Sequence, residues 1–228
     1  MKIGSLFSGI GGLDLGVERA TGGRVVWQCE NNPMCRQVLK KHWPDVPCYS
    51  DIVGLEPPPV DVLIGGFPCQ DLSDASRGRG GGLAGEKSGL WYEMLRIIKL
   101  IQPGRVFIEN VAGAAWKKWV PSVRADLWDI GYPTMPLLMS AAAVGAPFTG
   151  DRIFIAATHG ESKSTRTFNA KVAGMSQAPR PVRKDWGEPT STALGMADGV
   201  PRKMDRLRAV GNAVCPQQAE AAYRLTHT

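Results

Sequence analysis

Cys69 stands where a thiol can do chemistry. It sits within the run DVLIGGFPCQDLS, Asp61 to Ser73, in which the apolar Val62, Leu63 and Ile64 stop at Gly65 and Gly66 and are followed by Phe67 and Pro68. A thiolate is the strongest nucleophile among the side chains, although a free thiol near neutral pH is mostly protonated. Pro68 fixes the local backbone and removes a donor. Gly65 and Gly66 leave room for a ligand, and Gln70 and Asp71 make the surroundings polar. A lone cysteine is more often an inert, buried side chain. The strand end and the proline weigh against that reading here.

Two further residues are suited to act beside a nucleophile. FIEN, Phe107 to Asn110, places Glu109 at a strand end. A carboxylic acid kept protonated there donates a hydrogen bond or a proton to a ring nitrogen. DRIFIA puts Arg152 at a strand start, able to hold a carbonyl oxygen. A surface ion pair is the plainer alternative for each.

A second group of residues is suited to hold a ligand. FSGIGG, Phe7 to Gly12, is a glycine-rich turn between a strand and a helix. Glycines there let a ligand approach the backbone closely. The motif falls short of the full dinucleotide fingerprint and is also compatible with a simple tight turn. Glu30 follows the next strand, where an acid commonly binds ribose hydroxyls. Asp51, in SDI, is a third polar position before a turn. Ser73 to Gly89 is rich in glycine and carries Arg77, Arg79 and Lys87. It reads as a linker, or as a basic loop that closes over a polyanion.

Elements must hold these residues at one edge. Lys2–Ser8, Arg24–Cys29, Val60–Ile64, Arg105–Ile108 and Arg152–Ala157 read as strands. Gly12–Ala20, Pro33–His42, Gly89–Leu100 and Val120–Ile130 have helical spacing. Helical character returns at Asp205 and after Pro216. Strands and helices alternate with connections too long for hairpins, which predicts an α/β fold with a largely parallel sheet. In such sheets ligands bind beyond the carboxyl ends of the strands. Ser8–Gly12, Glu30, Asp51, Cys69 and Glu109 all fall there.

Composition sets the outer limits. The chain has 228 residues with 43% hydrophobic composition, enough for one packed domain. No apolar run approaches a membrane span, and no secretory leader is visible. The five cysteines have no Cys-x-x-Cys pair, which argues against a disulfide framework or a zinc site. The formal net charge is +6, which permits a polyanionic partner. Most of it lies in Thr158–Met204, with eight basic against four acidic side chains and no apolar periodicity. That stretch reads equally as a solvated loop or as a nucleic-acid-contacting insert.

Taken together, these residues resemble the cytosine-C5 DNA methyltransferase family. LFSGIGGLDLG, Glu30, SDI, DVLIGGFPCQDLS, FIENV, DRIFIA and RLRAVGNAVCP occur in the family's order. They cover most of residues 1–157 and 205–228. The resemblance implies a Rossmann-like, S-adenosylmethionine-dependent methyltransferase core from those two segments. A small, irregular target-recognition segment, 158–204, would interrupt it. Phe7, Gly9, Gly11, Gly12, Glu30, Asp51, Pro68 and Asn212 would form the cofactor site. Glu30 would take the ribose hydroxyls and Asp51 the adenine amino group. Cys69 would attack cytosine C6, Glu109 would act at N3, Asn110 would hold the Pro-Cys loop and Arg152 would hold the base. The cytosine would be flipped out of duplex DNA. Ser73, Arg77, Arg79 and Lys87 would contact that DNA.

The resemblance also implies a cytoplasmic, prokaryotic or phage-encoded enzyme of the restriction-modification kind, with no metal and no membrane partner. The chain departs from the family in two places. FTGDR carries Phe148 and Gly150 where the family has glutamine and arginine. The recognition segment is also short, so selectivity would be short, weak or supplied by a separate specificity partner. Two alternatives remain open: a tRNA cytosine-5 methyltransferase, whose Cys-Phe-Thr signature is not visible, and a non-catalytic DNA-binding relative.

Overall fold

A computed structural model describes residues 1–68, 89–113, 116–160 and 213–227, apart from the side chain of Lys118. Its strands are β1 Lys2–Leu6, β2 Arg24–Cys29, β3 Cys48–Tyr49, β4 Val62–Gly65, β5 Arg105–Val111, β6 Thr134–Met139 and β7 Arg152–Thr158. Its helices are α1 Gly12–Thr21, α2 Pro33–His42, α3 Gly89–Ile101, α4 Trp116–Asp129 and α5 Pro216–Thr226. Among the described residues the strands form one sheet in the order β3-β2-β1-β4-β5-β7-β6. Pairing is parallel from β3 across to β5, and β7 runs antiparallel to both β5 and β6.

The alternation of side chains along each strand builds two cores, one on each face. Leu63, Val106, Ile108, Ile153 and Ile155 point to the face covered by α3 and α4, where Trp91, Met94, Ile98, Trp119 and Val123 meet them. Val62, Ile64, Phe107 and Phe154 point to the other face and pack with Leu13 and Val17 of α1 and Ala219 and Tyr223 of α5. Covering both faces is why the central strands read as unbroken apolar runs.

α5 reaches α1 through a path cleared of side chains. A Cβ on Gly16 would lie 2.6 Å from that of Ala219, and one on Gly12 would lie 2.3 Å from the Val214 carbonyl oxygen. Gly12, expected in the cofactor set, thus has a packing reason to be glycine. Arg224 Nη2 donates to the Arg19 carbonyl at 2.9 Å and ties the pair together.

Several boundaries differ from the expectation. β1 stops at Leu6 instead of Ser8, which frees Phe7 and Ser8 for the turn. β5 continues past Ile108 to Val111, so Glu109 and Asn110 lie on the strand. α4 begins a turn before Val120, with Pro121 inside it. β3 and β6 were not foreseen, and β6–β7 is an antiparallel pair of adjacent strands. The segments 69–88, 114–115 and 161–212 lie outside the described residues. They include the helix expected at Asp205 and almost all of 158–204.

At the end of α5, His227 stacks on Tyr223 with ring centroids 4.0 Å apart, and Phe107 meets both rings edge-on. Burial pushes the His227 imidazole down from 6.5 to about 4. The unfolded chain takes up a proton there before the folded chain does. Stability is therefore fully present above pH 6.5 and falls as pH drops toward about 4. Exchanging His227 for phenylalanine keeps a ring in the stack. The acid-side loss should then shrink by on the order of 1–3 kcal/mol. Urea unfolding of both proteins at either end of that window checks this. Identical losses would remove His227 from the account.

Candidate active site

The carboxyl edge of the sheet gathers the polar residues. β1 runs into the turn from Phe7 to Gly11, β2 into Glu30, β3 into Asp51, and β4 into Phe67 and Pro68. β7 is antiparallel, so its first residue, Arg152, lies at this same edge, opposite Val111 in register.

The glycine turn is built from left-handed backbone. Gly9 has φ 55°, Gly11 has φ 87° and Phe7 has φ 54°. A bulky residue in that region is a backbone outlier and marks a segment held by its surroundings. Glu30 supplies part of that hold. Its two carboxylate oxygens accept from the Gly9 and Asn32 amides, each at 2.8 Å. Asn32 in turn caps α2, accepting from the Met34 and Cys35 amides.

Beneath the turn lies a buried network that the sequence reading missed. Asp14, fully buried on α1, accepts from Ser5 Oγ at 3.0 Å and Gln28 Nε2 at 2.8 Å. Ser8 Oγ donates to Ser5 Oγ at 2.8 Å. Burial raises the Asp14 carboxyl to about 6 against the lowering effect of its two donors. The signal was available: Asp14 falls between Leu13 and Val17 on the apolar face of its helix, and a buried acid requires donors.

Asp51 is exposed and closes its own turn, accepting from the Val53 amide at 2.9 Å. The next residue, Ile52, is buried.

The centre of the edge is Glu109. Its Oε1 lies 3.4 Å from Arg152 Nε, and both side chains are nearly buried. The pair is close enough for Coulombic attraction, yet Oε1 has no aligned hydrogen bond among the described residues. Burial lifts the Glu109 carboxyl from 4.5 to about 7, and the Arg152 cation opposes that rise. Titration of this acid is thereby moved toward neutral pH. The acid can donate a proton while a guanidinium stands beside it. Arg152 Nη2 also donates to the Ala213 carbonyl at 3.1 Å.

Glu109 sits directly against the end of β4. A Cβ on Gly66 would lie 2.9 Å from Glu109 Oε2, and one on Gly65 would lie 2.9 Å from the Leu6 carbonyl oxygen. The room expected beside these glycines for a ligand is therefore filled by protein. Asn110 Nδ2 donates to the Phe67 carbonyl at 2.9 Å. The Phe67 ring packs between Trp91 and Trp119, with centroids 5.5 and 5.6 Å away. The chain is thus gripped at ring and carbonyl one residue before the exposed Pro68. Cutting Asn110 to alanine leaves the Phe67 carbonyl without this donor. It is expected to cost about 1–3 kcal/mol in urea unfolding; an unchanged midpoint would mean the contact is idle.

The structure therefore brings Glu109, Asn110, Arg152 and the Phe67–Pro68 turn together, and joins Glu30 to Gly9. Cys69, Ser73, Arg77, Arg79, Lys87 and Asn212 lie outside the described residues. Gln218 was not foreseen. From α5 it donates to the Met139 and Gly150 carbonyls at 2.8 and 3.0 Å, holding the loop that carries Phe148 and Gly150. Phe148 is exposed on that loop. Among the described residues no His, Cys, Asp and Glu cluster is placed to hold a metal, and no helix is long and apolar enough to cross a membrane.

Residues 1–194 match the family model described as C-5 cytosine-specific DNA methylase. The type II methyltransferase M.NgoFVII of Neisseria gonorrhoeae is 35% identical over 162 residues, 68% of this chain and 42% of that protein. M.FnuDI of Fusobacterium nucleatum is 34% identical over 165 residues, 68% of this chain and 46% of that protein. The chain thus spans less than half the length of these curated relatives. Among solved structures, Spodoptera frugiperda DNMT2 (an E260A/E261A/K263A mutant) superposes with a TM-score of 0.59. It has 20% identity and covers 72% of this chain and 51% of that one. The Entamoeba histolytica methyltransferase EhMeth gives 0.58 at 17% identity, over 72% and 57%. At that identity the likeness speaks for the fold alone.

Proposed function

The chain belongs to the C-5 cytosine-specific DNA methylase family, and from that premise we propose that it methylates C5 of cytosine in duplex DNA with S-adenosylmethionine as methyl donor. One observation carries the reading. A buried acid raised to about 7, Glu109, stands beside Arg152 and against the turn that leads into Cys69.

The carboxyl edge suits the cofactor. The Phe7–Gly11 turn is shaped for close approach to its backbone. Glu30 is braced by two amides and keeps lone pairs for ribose hydroxyls, and Asp51 is exposed for an adenine amino group. Pro68 and Asn212 complete this set. When bound, S-adenosylmethionine supplies a methyl group activated on a sulfonium.

Cytosine C5 is a poor nucleophile until C6 is attacked. The Cys69 thiolate forms a bond to C6, and Glu109 holds a proton at N3, so charge does not build on the ring. The ring is then enamine-like and nucleophilic at C5. Arg152 keeps the Glu109 carboxyl oriented and faces the base. Asn110 fixes the Phe67 carbonyl and so the start of the Cys69 turn. Once C5 carries its methyl, a base such as water takes the C5 proton, the C5–C6 double bond re-forms, and the C6–sulfur bond breaks to return the Cys69 thiolate. The cytosine must leave the helix to reach these groups. Ser73, Arg77, Arg79 and Lys87 contact the DNA, and the basic 158–204 segment positions it by its phosphates.

Bisulfite sequencing of DNA from cells expressing the chain tests this directly. Converted-resistant cytosines confined to a few-base-pair site are expected. Complete conversion of the DNA, with methyl transfer to tRNA instead, would replace the proposal with the RNA reading. Methylation that needs a second polypeptide would assign site selection to a specificity partner.

A further inference from the structure

Arg96 reaches from α3 to the loop that carries Asp51. Its Nη2 donates to the carbonyls of Leu55 at 2.9 Å and Ile52 at 3.4 Å, and its Nε donates to Glu93 Oε2 at 2.9 Å. The contact bridges more than forty residues of sequence. Glu93 lies one turn back on the same helix, so it aims the guanidinium. The guanidinium spreads its donors over several nitrogens, so Nη2 holds the two carbonyls while Nε holds Glu93, a spread that a single lysine ammonium does not match.

The loop needs such a clamp. β3 is two residues long and pairs with β2 at the sheet edge. Past it, the loop is fixed by the buried Ile52 side chain, by the Asp51 carboxylate on the Val53 amide, and by a turn from the Leu55 amide to the Ile52 carbonyl. Val53 is exposed, and so is Asp51. The Ile52 carbonyl that closes this turn is one of the two that Arg96 grips. Arg96 thus stiffens the turn at the point where Asp51 must be presented.

We infer that Arg96 is a positioning residue that sets cofactor affinity by holding the Asp51 loop for the adenosine end of the ligand. The assignment rests on the cofactor reading proposed above. Arg96 is partly exposed, so its replacement does not open the core.

Calorimetry with S-adenosylhomocysteine on the wild-type chain, Arg96→Met, Arg96→Lys and Glu93→Gln tests it. Arg96→Met should weaken binding roughly ten- to a hundredfold, because the ligand must then order a turn that Arg96 no longer holds. Arg96→Lys should recover part of that loss, and Glu93→Gln should lose less than Arg96→Met. The cofactor KM should rise in step, with kcat at saturating cofactor close to wild type and the thermal midpoint lowered only modestly, because Arg96 is partly exposed. Hydrogen exchange at the Val53 and Leu55 amides should quicken in Arg96→Met. Equal affinity in wild type and Arg96→Met overturns the assignment while leaving the cofactor reading intact. A loss of affinity that tracks a falling thermal midpoint, without faster exchange confined to the loop, also overturns it. Absence of binding by the wild type itself would instead defeat the cofactor reading.

Discussion

Cys69→Ala is expected to abolish methyl transfer while leaving S-adenosylmethionine binding within about twofold of wild type. The reason is chemical. Without attack at C6, cytosine C5 lacks the enamine-like π density that attacks an electrophilic methyl. Removing a covalent catalyst from a machine that acts as a unit costs about five or more decades of rate. The structure fixes the chain two residues before it. Phe67 is held by Trp91, Trp119 and the Asn110 amide, and Pro68 limits the backbone that follows. In the proposed site the cofactor is held mainly from the ends of β1, β2 and β3, and the Cys69 thiol is not among its partners, so binding should survive. Methylation at the wild-type rate by Cys69→Ala would remove this residue from the mechanism, and lost cofactor binding would make its role structural.

Glu109→Gln should slow turnover by about two to four decades, the range of acid–base assistance. Glutamine keeps the shape but holds no acidic proton. The pH profile gives a separate signature. In the proposed mechanism the protonated form of Glu109 is the active one, so wild-type activity should decline as pH rises through about 7. The residual activity of the variant should lack that limb. Stability should fall over the same range. The folded carboxyl titrates at about 7 against 4.5 ordinarily. Its contribution to stability is thus present below pH 4.5 and lost as pH rises through about 7. At alkaline pH the variant should be more stable than wild type, by up to a few kcal/mol. Arg152 keeps the Ala213 carbonyl as a partner. A slow variant with an unchanged alkaline limb would assign that limb to another group.

Much of this site was legible because strand ends leave clear marks. Apolar runs stop abruptly at Gly65, at Glu30 and near Glu109, and in a covered sheet those stops line up at one edge. The direction of β7 was not legible. Alternating apolar residues say where a strand lies but not which way it runs, and only pairing shows that Arg152 starts at the Glu109 edge. β3 is too short to show a period, and Pro136 breaks the pattern of β6. Gly65 and Gly66 were read as space because a sequence does not show what approaches a missing Cβ. Leu6 and Glu109 approach it. Asp14 and Gln218 were passed over because a polar residue inside a helix looks like a solvated face until its helix is packed.

Covalent capture tests the central claim most directly. A duplex carrying 5-fluorocytosine has fluorine where C5 would otherwise lose its proton, so the thiol cannot be expelled after methyl transfer. Purified protein, this duplex and S-adenosylmethionine are expected to give a complex that survives denaturation. Peptide mapping should place the link on Cys69, and omission of the cofactor should prevent its accumulation. Methylation of ordinary duplex DNA with no captured complex, or capture through Cys215 or another cysteine, would contradict the account.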